Sequence, residues 1–424
     1  MGFSLSCVVF LGLTLSQLVS LSQGQTWGAE TVSDSLRPQT AWESNFLGTN
    51  VIVTAAGQSV LSAISSCNGI VGSTGYCTVD IQGDPSDSSI IISRSRTKLT
   101  SSTGADITSS GAVTFIGIYS GIEQVIIEKL SLRGHTASEV YGIFLNSGDI
   151  NKVIIRENTI YDFDGTDNAH GIAVYGSGST PIRNVMIEKN EVYNMRTGSS
   201  ESIVVNGNVY GWAINDNYVH DVNNIAIDAI GGEGTLPPSA GASGPHPDDA
   251  ARGGFIEYNV VRRMSTATNS AYGNEESWAA GIYVDGARDI KIQLNEVYDA
   301  PWGYEVGAEN CIITEDITVV DNFAEGSFYG DFLAGGYAAG GFETGAYQCN
   351  PLSTQDADEG HGNVERITVQ NNEFTTTGGT EDNVYVQKRT TLSIIAIDEP
   401  GFSAVNPTGT GCTSPCDANS YRTS

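Results

Sequence analysis

Basic residues are scarce in this chain. Its 424 residues include 20 Lys and Arg against 49 Asp and Glu, a formal charge of −29 at pH 7. So acidic a chain repels nucleic acid and anionic membranes, which excludes both as partners. The acidity also suits simple solubility. Histidine is rarer still, at five copies, and none sits among cysteines at a finger-like spacing, which argues against structural zinc. No phosphate-binding glycine loop, Ser-His-Asp arrangement or HExxH occurs. After the N-terminus no apolar run is long enough to span a membrane. The N-terminal run itself, CVVFLGLTLSQLVSL, is short for a span and is followed by Ser22-Gln23-Gly24. Residues 1–24 therefore read as a secretory signal cut before Gln25, although they hold no Lys or Arg and rely on the terminal amine. The expectation is a secreted, extracellular monomer with no membrane attachment once the signal is removed.

What the chain does have is an asparagine returning in one hydrophobic frame: VIIRENTI, VMIEKNEV, WAINDNYV, GFIEYNVV, IKIQLNEV, ITVVDNFA and ITVQNNEF, at Asn158, Asn190, Asn217, Asn259, Asn295, Asn322 and Asn372. The interval is 27 residues at its shortest and 50 at its longest. A fixed minimum with loop-sized additions is the signature of a solenoid. Apolar residues stand three before each asparagine and two after it, a period of two that indicates strands. A further strand per coil aligns from Gly142, Gly171, Ser202, Asn224, Gly281 and Gly303, giving about three short strands per coil. Strands recurring in one direction must pair in parallel with their copies, roughly 4.8 Å away. An inward amide at a tight turn can then hydrogen-bond to its copies above and below.

These repeats resemble those of the right-handed parallel β-helices of the pectin lyase-like superfamily, the group of pectate lyases, polygalacturonases, and alginate lyases and epimerases. The resemblance covers roughly residues 50 to 400 and implies an all-β solenoid with an asparagine ladder. It also implies that the strand preceding the asparagine strand carries a substrate groove, and that the partner is a cell-wall or extracellular polysaccharide. The specific signatures fail: the polygalacturonase set of NTD, DD, GHG and RIK is absent, as are the pectate lyase WIDH and RxPxxR elements. The epimerase DPHD is only echoed, permuted, in Pro245-His246-Pro247-Asp248-Asp249.

Residues 25–424 thus read as one β-helix domain with a tail at 401–424. Val60, Leu61, Ile64 and Cys67 mark one face of a short helix near 58–67, a plug for the first coil. Of seven cysteines, Cys7 leaves with the signal. An even remainder in a secreted chain suggests disulfides, with neighbours favouring Cys67–Cys77, Cys311–Cys349 and Cys412–Cys416.

In the groove strand, alternate residues face outward. On the alignment from Asn224, Asp228 and Asp285 occupy one place on consecutive coils despite lying 57 residues apart in sequence. Their Cα atoms are then expected roughly 5 Å apart. Glu305 stands diagonally from Asp285, beside Tyr283, and Asn206 lies one coil before Asp228. Stacked carboxylates cannot all ionise freely, so pKa values should rise. Two chemistries fit Asp228, Asp285 and Glu305. One is glycosidic hydrolysis, needing an acid and a base or nucleophile but no cofactor. In the other the same three hold calcium against a uronate while a basic residue takes a proton, the candidates being Arg288 and Lys291 just after Asp285 and Arg252, Arg262 and Arg263 in the preceding coil. A third possibility is a non-catalytic carbohydrate-binding or adhesive solenoid, with each Asp only capping a turn. Two long turns converge on these coils, one with Glu233 and the other with Tyr272 and Trp278, while Glu309 lies on the far side. Together with Asn206, Tyr283, Arg252 and Arg288 these are the expected substrate contacts. A third outward column of Tyr161, Tyr193, His220, Arg262 and Tyr298 reads as a stacked ladder on another sheet.

Overall fold

The computed structural model describes residues 32–108, 111–240, 245–309, 312–336, 362–381, 383–386, 390–391 and 397–398. The signal segment and Cys311, Cys349, Cys412 and Cys416 lie outside the described residues. The chain is a right-handed parallel β-helix. Three sheets run along it, of 13, 9 and 10 strands among the described residues. The first sheet holds the strands that precede each ladder asparagine, the second those that follow, and the third the GIxVD-like strands. Every coil visits them in that order. Alternation explains the pairing: Val153 and Ile155 point inward and sit against Val185 and Ile187 of the next coil, all fully buried. In the second sheet Ile160, Val192, Val219, Val261 and Val297 form an equivalent inward column. Such columns give the solenoid its dry interior, stacked at the strand spacing.

The asparagine turn is costly on its own. The residue before each ladder asparagine, namely Glu157, Lys189, Asp216, Tyr258, Leu294, Asp321 and Asn371, adopts a left-handed conformation with φ between 53° and 58°. For a non-glycine residue this costs about 1 kcal/mol. The ladder offsets it. Each amide from Asn158 to Asn322 donates to the Oδ1 of the next asparagine at 2.9 to 3.0 Å. Asn259 is central: its Nδ2 donates to the Ile214 carbonyl (2.8 Å) and to Asn295, and its Oδ1 accepts from the backbone and side-chain nitrogens of Asn217, both at 3.0 Å. Asn259→Ala would strand several of these fully buried groups at once, so we expect a loss of about 3 kcal/mol, read as a fall in the urea midpoint. A midpoint within error of the parent would show that the ladder is decoration.

The expected plug is the helix Val60–Val71. Ser59 caps it, accepting from the Ser62 amide at 3.0 Å, and Asp87 accepts from the Val60 and Leu61 amides at 2.5 and 3.2 Å. Val60, Ala63, Ile64 and Cys67 are buried against the first coil, and Cys67 is bonded to Cys77. An N-terminal strap crosses the outer face of the first sheet. There Arg37 makes a two-pronged pair with the buried Glu257 at 2.5 and 2.6 Å, and Phe46 packs with Ile126 and Ile154.

Two insertions matter for function. Ile230 leads from the third sheet into a loop that rejoins the first sheet at Ala251. Met264, at the end of the second sheet, leads into another that joins the third at Ala280. They leave the two long edges of the third sheet, and Glu233 from one and Tyr272 from the other reach its outer-face residues, so that face is a groove flanked by two loops.

Candidate functional site

The outer face of the third sheet presents two columns of side chains. One runs through Phe144, Ala173, Val204, Asp228, Tyr283 and Glu305. The other runs through Asn146, Tyr175, Asn206 and Ile230, and one coil on reaches Asp285 and then Gly307. This corrects the sequence alignment at one coil. Asp228 pairs with Val204 on one side and Tyr283 on the other, so it lies diagonally from Asp285 and not in the same column. The strand containing Asp228 sits two residues further along than the pattern from Asn224 suggested. A slip of two keeps every side chain on its face, and alternation cannot reveal it. Glu305 stands beside Tyr283 and diagonal to Asp285, as expected. From the coil rise and the rise per residue, Asp285 is about 8 Å from both Asp228 and Glu305 at Cα, and those two are roughly 10 Å apart.

Asp285 ends its strand at a tight crossing. Gly286 has φ +69°, and a Cβ there would lie 2.3 Å from the Gly231 carbonyl oxygen, so glycine is required. The Gly231 amide donates to the Asp285 carbonyl at 2.7 Å. The Asp285 carboxylate accepts from the Glu309 amide at 2.7 Å, and the Tyr283 hydroxyl donates to Glu309 Oε1 at 3.1 Å. Across the groove, Asn206 donates to Glu233 at 2.7 Å and accepts from Thr235 at 2.8 Å.

Six carboxyls act on one another here. Burial pushes Asp228 well up, and Glu201, Asp285, Glu233 and Glu309 push it further. Burial likewise raises Asp285, reinforced by Glu309, with the Glu309 amide opposing the rise. Glu305 is raised by burial and by Glu309. Glu201 is pushed up to about 8 by burial and then by Glu233. Glu233 at the rim and half-buried Glu309 are raised too, by desolvation first and then by neighbouring carboxylates. Every charge raising Asp228, Asp285 and Glu305 is acidic. Their exposures are only 2, 4 and 3%, because the walls rise on both sides. Asp228 Oδ1 is fully buried with no hydrogen-bond partner. An orphaned oxygen of this kind is costly unless something arrives to use it.

The other expected contacts divide. Tyr272, in the 3-10 turn Ser270–Tyr272, reaches the cluster, where burial and then Glu201, Glu309 and Asp228 raise its hydroxyl. Arg252 and Arg288 do not reach it. Both lie on the first sheet, where Arg252 binds the Asp248 carbonyl (2.6 Å) and Asn208 (2.8 Å), and Arg288 the Pro247 carbonyl (2.7 Å). They hold one wall in place. Trp278 packs with Trp302, Tyr329 and Tyr385 against the core. Glu201 was missed because it precedes its strand's first aligned residue. Its position matches His170 and Tyr141 in the preceding coils, which a longer alignment window includes. The third column is the expected ladder: Tyr161, Tyr193 and His220 stack at 5.1 and 5.0 Å, and Arg262 lies over Tyr298. Among the described residues no group of three or more His, Cys, Asp or Glu is arranged to hold a metal ion. The calcium set of Asp228, Asp285 and Glu305 gains no support from the geometry. No described helix is long and apolar enough to cross a membrane.

No family model matches the chain. An uncharacterized protein of Bacillus subtilis (strain 168), YwoF, is 39% identical over 219 residues, covering 51% of this chain and 44% of that protein. Among solved structures the chain is similar to a family 28 exopolygalacturonase of Yersinia enterocolitica (10% identity, TM-score 0.49, 83% of this chain and 72% of that one). It is also similar to an alginate lyase of Paenibacillus sp. str. FPU-7 (13% identity, TM-score 0.44, 80 and 98%). A third is a GH136 lacto-N-biosidase of Eubacterium ramulus (12% identity, TM-score 0.43, 74 and 62%). The chain spans less than two thirds of the length of the Bacillus protein and of the lacto-N-biosidase. Likenesses this distant carry no chemistry over.

Proposed function

We propose that this chain is a secreted polysaccharide-active enzyme that cleaves glycosidic bonds by hydrolysis, with Asp228, Asp285 and Glu305 as its working carboxyls. The observation that carries the reading is a walled groove whose floor gathers buried carboxyls with raised pKa values around Asp228 Oδ1, which has no partner. Hydrolysis needs one carboxyl that keeps its proton for the leaving oxygen and another that can lose it to activate water. Asp285 alone of the three has a hydrogen bond favouring its ionised form, from the Glu309 amide, so it is the base. Asp228 has no such bond and feels four other carboxyls, so it stays protonated and is the acid. Glu305 keeps its proton and limits the negative charge beside Asp285.

Asp228 and Asp285 stand about 8 Å apart at Cα on one face, and carboxyls kept at a similar separation would leave room for a water molecule between base and sugar, the spacing of inverting glycosidases. The expected result is therefore new reducing ends with no absorbance from unsaturated products, and initial products of inverted anomeric configuration by proton NMR. Retained configuration would refute the water-activating role of Asp285. Chelator-sensitive unsaturated products would refute hydrolysis itself and restore the lyase reading, which needs a basic side chain that Arg252 and Arg288 do not bring to the groove.

A further inference from the structure

We infer that the groove binds a neutral glycan, laid along the helix axis over the coils that precede the carboxyls, and rejects uronic-acid polymers. The inference deepens the hydrolase reading and shares its groove. Upstream of Asp228 the same outer face changes character from acidic to aromatic and amide. Tyr119 and partly exposed Tyr175 stand on either side of the buried Phe144 there, with ring centroids 6.3 and 5.5 Å from it. The Tyr119 ring lies down across Gly117, where a Cβ would come within 2.7 Å of it, and the residue is 39% exposed. Tyr141 stacks behind Phe144 at 4.3 Å, and the Tyr175 hydroxyl meets His170 Nε2 at 3.3 Å, so the rings are fixed. Partly exposed Asn146 alternates with them in the second column, while Asn206 one place on is buried and held by Glu233 and Thr235. Fixed aromatic surface beside amides suits the apolar faces and hydroxyls of neutral sugars.

The charge pattern supplies the selectivity. Neither outer column carries a Lys or Arg from Tyr119 to Gly307. The nearby guanidinium groups of Arg252 and Arg288 are engaged by loop carbonyls on another sheet. A uronate threaded here would bring a carboxylate every residue into a groove whose two outer columns offer no cationic side chain among the described residues, so stripping each carboxylate of water goes uncompensated. Its charge would also oppose any further ionisation of the floor carboxyls, at distances where salt screens little. A neutral chain meets no such penalty.

The test uses Asp285→Asn, so that binding is read without turnover, in affinity electrophoresis through gels of neutral glucans, xylans, mannans and galactans, and of polygalacturonate and alginate. All gels contain 150 mM salt, with calcium or with chelator. The expected result is retention by at least one neutral polymer and at least 100-fold weaker retention by both uronates, in calcium and chelator alike. Tyr119→Ala, a surface change that leaves the core intact, should weaken neutral retention at least tenfold, and Tyr175→Ala should do the same. Tyr193→Ala on the second sheet should leave it unchanged. Retention by a uronate equal to that by any neutral polymer would overturn the inference, as would no retention by any neutral polymer. If neutral retention holds while the parent protein cleaves none of these polymers, the hydrolase reading fails and the neutral groove stands. If the parent releases reducing ends from a uronate, the hydrolase reading stands and the neutral groove fails.

Discussion

Asp285→Asn is expected to lower the rate of glycosidic cleavage by about a thousandfold, within the range that a positioned acid or base contributes. The substitution keeps the shape of the side chain and can still meet the Glu309 amide through its oxygen, so the fold and polymer retention should persist. Asp228→Asn should lose a similar factor on a polysaccharide but much less on an aryl glycoside, whose leaving group departs without a proton. That contrast separates acid from base, and a merely structural role for Asp228 would depress both substrates equally. Glu305→Gln leaves a neutral group in place of a neutral carboxyl, so its effect should be smaller than either. Full activity in Asp285→Asn would end this mechanism.

The second large effect is on stability. Glu201, Asp228, Asp285 and Glu305 hold their protons in the fold to higher pH than in the unfolded chain, where carboxyls ionise near 4 to 4.5. For a raised group the sign is fixed: its contribution is complete below the unfolded pKa and is lost as pH rises toward the folded value. Between about pH 4.5 and 8 the folded chain binds more protons than the unfolded one, so stability falls by about 1.4 kcal/mol per pH unit for each proton retained. Glu128 works in the opposite direction. Burial opposes its ionisation, but hydrogen bonds from Lys98 and Arg156 win and hold it low, so its contribution is lost in acid. The melting temperature should therefore peak near pH 5 and decline steadily to pH 8. Glu201→Gln should match the parent at pH 4.5 and exceed it at pH 8, because Glu201 titrates near 8 in the fold. A melting temperature flat from pH 5 to 8 in the parent would mean that the cluster is not protonated in this window.

The two effects share one cause. A groove that keeps carboxyls neutral creates a proton donor and spends stability at neutral pH to do so.

How far the site could be read in advance depended on the kind of information each residue carried. Faces were legible. The outward direction of Asp228, Tyr283, Asp285 and Glu305 follows from alternation. Registers were legible only where glycine and the Ile-x-Val pair recurred, as at Gly281 and Gly303, and they slipped where the strand read Asn-Ile-Ala-Ile-Asp-Ala, with three inward positions equally apolar at Ile225, Ile227 and Ala229. Residues at corners, such as Glu201, lay outside the alternation and so outside its reach. The long arginine side chains were the least legible. Their positions were known, but the partners that turned Arg252 and Arg288 to the wall, Asn208 and the loop carbonyls, lie in other segments.

The sequence by itself determined the solenoid, the asparagine ladder, the helical plug and the disulfide at Cys67, because each depends on a local period or a short-range contact. The tertiary structure decided which carboxyls are neighbours, that Arg252 and Arg288 turn away from them, and that Asp228 keeps an oxygen without a partner. Those properties depend on how far each insertion displaces the next strand along its sheet and on what the neighbouring coil buries. A displacement of two residues costs nothing in hydrophobic pattern, yet it moves a carboxyl to a different partner.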